Sequence, residues 1–355
     1  MTASIKLTLG EAEAPREQWY VIAFSNEVGR EPLARSIMGD PVLLYRREDN
    51  TPVALFDRCP HRGMRLSNGG KLIDDAIQCQ YHGLEFGSDG ICRKIPSGGP
   101  ISKQMCVRSY PLVEIWNWLW IWPGDPAKAD PALIPDHHAL GLTDPSLHAY
   151  SGLFLELDCN YLHATENLAE ATHVSYLHHG FVDNGNVAAH PFREEVTGDN
   201  VTTIREFKDE PVSPYARLSY GLQCDVVDRE LRITSIPPSV TVVTEKYDEK
   251  GVEHPRVLIA RLVVPVTPAA RNKCYQFVAA TRTLQTEIGP LFEGLRSFLL
   301  EDVVALGDVQ RLFDSLLPEQ RIEVSVKSDN PALRTRRIIE KMIKNERQNL
   351  TEAAE

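Results

Sequence analysis

Over the first third of the chain, apolar positions come in short runs. QWYVIAF (18–24), PVLLYRR (41–47), PVALFDR (52–58) and AIQCQYHGLEF (76–86) are rich in β-branched and aromatic residues. Gly, Pro, Asn and Asp break the pattern at 49–50, 68–70, 88–90 and 96–100. Runs and breakers of this kind predict short strands joined by tight turns. Trp116, Trp118, Trp120 and Trp122 fall on alternate positions, the period of a strand with one aromatic face. A Pro-rich stretch at 123–136 then predicts a boundary between an all-β domain over 1–125 and a second domain over 126–355.

Beyond it the rhythm changes. Residues 159–178 are good helix formers, and VTTIREF (201–207), ARLSYGLQC (216–224), SVTVVTEKY (239–247), RVLIARLVVPV (256–266) and YQFVAATRT (275–283) predict an antiparallel meander. A long helix is expected from Pro290, a residue suited to a first helical turn. Its residues Leu291, Leu295, Phe298, Leu299, Leu306, Val309 and Phe313 make one stripe at helical period. Asp302 interrupts that stripe, with Glu301 and Asp308 on the opposite, polar side. A last helix is expected from Pro331 to Asn345, with Ser328 and Asp329 as caps. The fold class is α+β.

Composition narrows the function. Of 355 residues, 43% are hydrophobic and 25% charged, the mix of a globular chain. Asp and Glu total 49 against 38 Lys and Arg, a net charge of -11. Such a surface repels phosphate backbones, so no nucleic-acid partner is expected. No apolar run approaches the roughly 20 residues that span a bilayer. The N-terminus carries no basic-then-apolar leader, so a cytoplasmic protein without membrane attachment is expected. Seven cysteines is an odd number, which favours reduced thiols or metal ligands over disulfides. Cys92, Cys106, Cys159, Cys224 and Cys274 lack ligand spacing and read as core thiols. His137, His138 and His148 read as solvated connector residues, and Arg334, Arg336, Arg337, Lys341 and Lys344 as a solvated basic face.

Two groups of residues point to metals. Cys59-Pro60-His61 precedes Cys79-Gln80-Tyr81-His82 by seventeen residues. Two thiolates and two imidazoles on facing loops suit one tetrahedral zinc, or a [2Fe-2S] cluster with both cysteines on one iron and both histidines on the other. Further on, His173 and His178 are five apart. Two histidines and one carboxylate make a facial iron site with open positions. Five residues turn about 140° on a regular helix, so both rings face one ion only if the helix is bulged or ends. Asp302, a carboxylate on a buried stripe, is costly unless paired or metal-bound, and reads as the third ligand.

The loops CPHRG (59–63) and CQYHG (79–83) resemble the cluster-binding loops of Rieske proteins, and IPSGG (95–99) resembles the family's third, Pro-containing covering loop. That resemblance assigns Cys59, His61, Cys79 and His82 to a [2Fe-2S] cluster. The second half resembles the catalytic domain of Rieske non-haem iron oxygenases, whose pattern is E-N-x-x-D-x-x-H-x-x-x-x-H. Here it reads Glu166-Asn167-Leu168-Ala169-Glu170-Ala171-Thr172-His173 and then His178. Residues 299–310 resemble the helix carrying the ligand Asp. WYVIAF (19–24) and 120–136 are typical of the shorter vanillate and dicamba O-demethylase type.

The resemblance implies a Rieske domain followed by a helix-grip catalytic domain with an antiparallel sheet, and Fe(2+) held by His173, His178 and Asp302. It places Glu170 and Asn167 among the catalytic residues. Glu170 stands where the family has Asp, as the carboxylate bridging His82 of one subunit to His173 of the next. It also implies a homotrimer and O2 as cosubstrate. The activity implied is hydroxylation or O-demethylation of an aromatic acid or aryl methyl ether, a step in aromatic breakdown. A ring dioxygenase forming cis-diols is the alternative. The chain has no G-x-G-x-x-G fingerprint, so NAD(P)H electrons are expected through a separate reductase, with or without a ferredoxin.

Overall fold

The computed structural model describes residues 8–10, 13–183, 185–285 and 289–352. The chain divides into two units, residues 16–134 and residues 135–355 together with those up to 15.

In the first unit the short apolar runs become strands. β1 (Tyr20–Phe24), β2 (Leu33–Ile37), β3 (Asp40–Arg46) and β4 (Pro52–Phe56) are followed by β5 (Lys71–Ile73), β6 (Ala76–Gln78), β7 (Glu85–Phe86) and β8 (Cys92–Lys94). β9 (Ser109–Tyr110), β10 (Leu112–Ile115) and β11 (Trp118–Ile121) complete it. They form three small antiparallel sheets, ordered β1-β11-β10, β2-β3-β4-β9 and β5-β6-β7-β8. The aromatic face is shorter than expected. Trp116 has φ +57 at the turn between β10 and β11, while Trp118, Trp120 and Trp122 are buried. The Pro-rich stretch folds into two short 3-10 turns, Pro126–Lys128 and Pro131–Leu133. The side chains of Asp125 and Asp130 accept their first free amides.

The second unit is one seven-stranded antiparallel sheet with helices. In chain order it holds β12 (His148–Leu157), α1 (Tyr161–Ala169), α2 (Asn186–Ala189), β13 (Arg193–Thr197), β14 (Asn200–Pro211) and α3 (Pro214–Tyr220). Then come β15 (Val226–Ile236), β16 (Val240–Glu249), β17 (Val257–Ala270), β18 (Lys273–Arg282), α4 (Gly289–Ser315) and α5 (Asn330–Glu352). Strand order is β12-β18-β17-β16-β15-β14-β13. α1 lies on β15–β18, and α4 packs on β12 and α3. ARLSYGLQC is therefore mostly helix. Ser213 caps α3, Pro214 opens it, and Gly221 at φ +59 ends it. These start and stop signals outweigh its apolar content. β15 carries no apolar run to mark it, because buried and half-buried positions alternate along VVDRELRITSI.

Further expectations need correction. α4 buries Asp302 and Gln310 within its stripe, whereas Val309 is 49% exposed. Gln310 is held inward because its amide accepts from Asn160 N at 2.8 Å and donates to the Gly10 carbonyl at 3.2 Å. α5 is longer than expected, and Arg336 is buried rather than solvated. Its guanidinium forks onto Glu166 at 2.7 and 2.8 Å and meets Glu323 at 2.6 Å. His137 is buried, with Nδ1 3.0 Å from the Pro135 carbonyl. Cys106 is exposed, while the other four presumed core thiols are buried. Among the described residues, no helix is long and apolar enough to cross a membrane.

Candidate metal centres and their cavity

The first centre rests on two loops with the same backbone wiring. Cys59 N donates to Met64 O and Gly63 N to Cys59 O, while Cys79 N donates to Leu84 O and Gly83 N to Cys79 O, all at 2.8–2.9 Å. Gly63 and Gly83 close the loops at φ +78 and +73, where a side chain is strained. A Cβ on Gly83 would also stand 3.0 Å from Pro96, so the 95–99 turn lies against the second loop. Buried Asp57 braces the first loop by accepting from Ser67 N at 2.7 Å and Ser67 Oγ at 2.5 Å.

The donors separate by exposure. Cys59 and Cys79 are 2% and 1% exposed; His61 and His82 are exposed, with ring centroids 4.5 Å apart. Burial pushes the Cys59 thiol up to about 11, with Cys79 adding to the effect. Thiolates there need a cation beside them. Among the described residues, only His173, His178 and Asp302 bring three ligand atoms within 4.8 Å of one another. Two thiolates and two imidazoles on facing loops suit the two irons of a [2Fe-2S] cluster.

The second centre begins where α1 stops. The helix formers from 159 to 178 do not make one helix, and there is no bulge: α1 ends at Ala169, with Glu170 extended at its C-terminus. The Glu170 carboxylate accepts from Thr172 N at 2.7 Å and His173 N at 3.3 Å. It thereby opens the 3-10 turn Thr172–Ser175. Burial pushes the Glu170 carboxyl upward, but its bonds with His173 and Thr172 outweigh this and hold it below the usual range. His173 turns its Nδ1 to the Glu170 carbonyl at 2.6 Å, which leaves Nε2 facing Asp302 Oδ1 at 3.8 Å.

His178 follows in a loop pinned by Asp183. That carboxylate accepts from Ser175 Oγ at 2.5 Å, Gly185 N at 3.0 Å and Val187 N at 3.1 Å. His178 packs on Phe298, with ring centroids 5.2 Å apart. Its Nε2 is buried, makes no hydrogen bond, and lies 3.3 Å from Asp302 Oδ2. Its Nδ1 lies 2.6 Å from Glu301 Oε2, so Glu301 reaches back from the helix side that the stripe predicts to be solvent-facing only. Burial pushes the His178 imidazolium down, but Asp302 and Glu301 outweigh it and raise the pKa. Asn167 Nδ2 donates to Asp302 Oδ1 at 3.3 Å.

An orphaned buried ring nitrogen among surplus carboxylates fits a bound divalent iron. Two imidazoles and one carboxylate are the donor set, and Glu301 fixes the His178 tautomer as an outer partner.

The three residues face a cavity of about 100 Å³. Leu168, Leu231, Ile233, Leu262, Val264 and Phe298 line it, with Arg229 and Glu245 as its charged wall. Arg229 follows from the two-residue period of β15, which buries Val227, Arg229, Leu231 and Ile233 together. His163 and His190 are not part of this lining. His163 packs against Phe313, and His190 donates toward the Glu206 carbonyl beside Phe207. His179 is exposed and points Nδ1 at Ser175 O.

Comparison with known proteins agrees with this layout. Residues 18–111 match the Rieske [2Fe-2S] domain, and residues 157–345 match the vanillate O-demethylase oxygenase C-terminal domain. The chain is 30% identical to a vanillate O-demethylase oxygenase subunit of Pseudomonas sp. over 94% of this chain and 96% of that one. It is 30% identical to the oxygenase component of dicamba O-demethylase of Stenotrophomonas maltophilia, over 92% and 97%. The crystal structure of dicamba monooxygenase bound to 3,6-dichlorosalicylic acid superposes with a TM-score of 0.84 and 29% identity, over 93% of this chain and 98% of that one.

Proposed function

Because the chain belongs to the Rieske non-haem iron oxygenases of the vanillate and dicamba O-demethylase type, we propose that it removes an O-methyl group from an aromatic substrate. The observation carrying this reading is the convergence of His173, His178 and Asp302 on an apolar cavity, in a chain that also holds paired Cys/His loops. When bound, the cluster supplies single electrons and the ferrous ion activates O2.

The chain's own residues do the rest. Cys59 and Cys79 would hold one iron of the cluster, and His61 and His82 the other. His173, His178 and Asp302 would hold the catalytic iron beside the apolar cavity. Asn167 steadies Asp302, and Glu301 orients His178. The apolar wall holds the aromatic ring and excludes water. With O2, two electrons and two protons, one methyl C–H becomes C–OH and the second oxygen atom leaves as water. The resulting hemiacetal collapses to a phenol and formaldehyde. Electrons come from NAD(P)H through a separate reductase, directly or by way of a ferredoxin.

In a head-to-tail homotrimer, a heterologous ring that closes, Glu170 bridges His82 of one subunit to His173 of the next. Light scattering that returned a monomer would overturn this assembly. The activity is tested by a single turnover: reduced protein is mixed anaerobically with methoxylated aromatics and then exposed to O2. Formaldehyde with the matching phenol is expected. A product heavier by one oxygen, with its methyl group retained, would replace demethylation by hydroxylation.

A further inference from the structure

Three tyrosines lead away from the cavity that holds the second centre. Tyr215, on α3, belongs to the same lining as His178, Phe298 and Asp302. Its ring meets Phe298 edge to face with centroids 5.3 Å apart, and Phe298 lies 5.2 Å from the His178 ring. Tyr220 closes α3. Its ring is 5.7 Å from that of Tyr215, and the two hydroxyls are 3.2 Å apart. Tyr247, on β16, follows with its ring 5.5 Å from that of Tyr220. Tyr220 and Tyr247 do not line the catalytic cavity. Tyr247 instead lines a neighbouring recess of about 10 Å³ with Asn186, Ser213 and Arg229, room for about one water.

All three tyrosines are buried, and burial pushes each phenol well above its ordinary pKa. A buried phenol that loses an electron must therefore pass its proton to a neighbour, because a charge left there is costly. The neighbour is in place. Glu245 Oε2 accepts from the Tyr220 hydroxyl at 3.3 Å, and Tyr247 lies beside the same carboxylate. Arg229 Nη1 donates to Glu245 at 3.0 Å and fixes its position with a charge-assisted bond. A phenol O–H bond is weaker than the methyl C–H bond of an aryl ether. An oxidant made at the iron to break the second can break the first, and Tyr215 shares the lining with the iron's ligands.

We propose that Tyr215, Tyr220 and Tyr247 form a chain that drains an oxidising equivalent from the iron site when no methyl C–H is in reach. The proposal rests on the iron assignment made above and not on the identity of the aromatic. One electron passes from Tyr215 to the iron site. The Tyr215 hydroxyl proton moves to the Tyr220 oxygen, and the Tyr220 proton moves to Glu245, which leaves a neutral phenoxyl radical on Tyr215. Tyr220 refills it with an electron and a proton across the 3.2 Å contact. Tyr247 refills Tyr220 in turn, exchanging the proton through Glu245. The radical thus comes to rest outside the lining that holds His173 and His178. A thiol reductant in solution returns the electron, and Glu245 returns the proton.

The test gives the full-length holoenzyme, with no aromatic bound, a small excess of hydrogen peroxide, which equals O2 plus two electrons and two protons. Samples frozen within seconds are read by electron paramagnetic resonance. An organic radical signal is expected. It should narrow in protein carrying ring-deuterated tyrosine and be lost in His173→Ala, which keeps the cluster without the iron. No radical, or one that the deuterated tyrosine leaves unchanged, overturns the proposal. So does a signal that survives in His173→Ala, since the oxidation then starts elsewhere. Tyr247→Phe should keep its cluster absorbance and bound iron, lose the long-lived part of the signal, and inactivate several-fold faster per peroxide consumed. Peptide mass spectrometry should then map the damage to the cavity lining. Wild-type inactivation and wild-type peptides in that variant overturn the path through Tyr247. If the variant does not fold, the wild-type peptide map decides: oxidation at Tyr247 supports the chain, and oxidation confined to the lining overturns it. Single-turnover products separate the two readings. A tyrosyl radical with no formaldehyde from any methoxylated aromatic keeps the chain and overturns demethylation. Formaldehyde with no tyrosyl radical keeps demethylation and overturns the chain.

Discussion

The four donors offered to the cluster lie between Cys59 and His82, on two turns with matching hydrogen bonds. The three offered to the catalytic iron run from His173 to Asp302 and come from a short turn, a pinned loop and a long helix. The first set is local, so each loop's own backbone bonds and its glycine fix it. The second exists only after β13 to β18 have paired and α4 has docked, so tertiary packing fixes it. A site of the first kind survives damage elsewhere in the fold; a site of the second kind registers it.

The largest effects should separate the two centres outright. Cys79→Ala should abolish the visible absorbance of the cluster, and His173→Ala should leave that absorbance intact while losing bound iron. Each alone should lower turnover to on the order of a thousandth or less. If electrons cross between subunits, mixed trimers of the two variants should recover up to about a quarter of wild-type activity, since random mixing places an intact cluster beside an intact iron site at one interface in four. No recovery in mixtures verified by mass spectrometry would confine transfer to one chain.

A smaller effect sharpens the non-local site. Glu301→Gln should weaken iron binding by about 10–100-fold, the usual cost of losing an outer partner of a ligand histidine, as read by chelator competition. The cluster absorbance should not move. Unchanged iron affinity would mean that the 2.6 Å contact between Glu301 and His178 is incidental.

The smallest effect concerns stability of the catalytic unit. His163 is buried against Phe313, and burial pulls its pKa down to about 4. The unfolded chain binds that proton from about pH 6.5 and the folded chain does not, so stability is fully present above pH 6.5 and falls as pH drops toward 4. At pH 5 the loss is about 2 kcal/mol. His163→Asn should flatten the melting temperature between pH 7 and 5. A melting profile as steep as the wild type would assign the acid sensitivity to other groups.

What could be read beforehand follows the same division. Spacing alone exposed the Cys/His loops, because each loop needs only its own residues and a glycine. Asp302 was legible because a carboxylate on an apolar stripe asks for a partner. Glu301 was hidden by the same stripe, since helical period gives the side on which a residue starts and not how far its side chain reaches back. Arg229 was hidden by its charge, although the alternation of Val227, Leu231 and Ile233 with it marked an inward position. The stop of α1 at Glu170 depends on a carboxylate capping the next turn, a competition that propensity does not resolve.

Consecutive residues on α4 grip one ring from two sides: Glu301 meets His178 Nδ1 at 2.6 Å, and Asp302 lies 3.3 Å from Nε2. Neighbours on a helix point about 100° apart, so the imidazole acts as a key held between two teeth of one gear. Rolling the helix about its axis carries both carboxylates the same way, so neither contact with the ring shifts without the other. The centre is thus responsive to torque on α4, whose outer face carries exposed Leu300 and Val304.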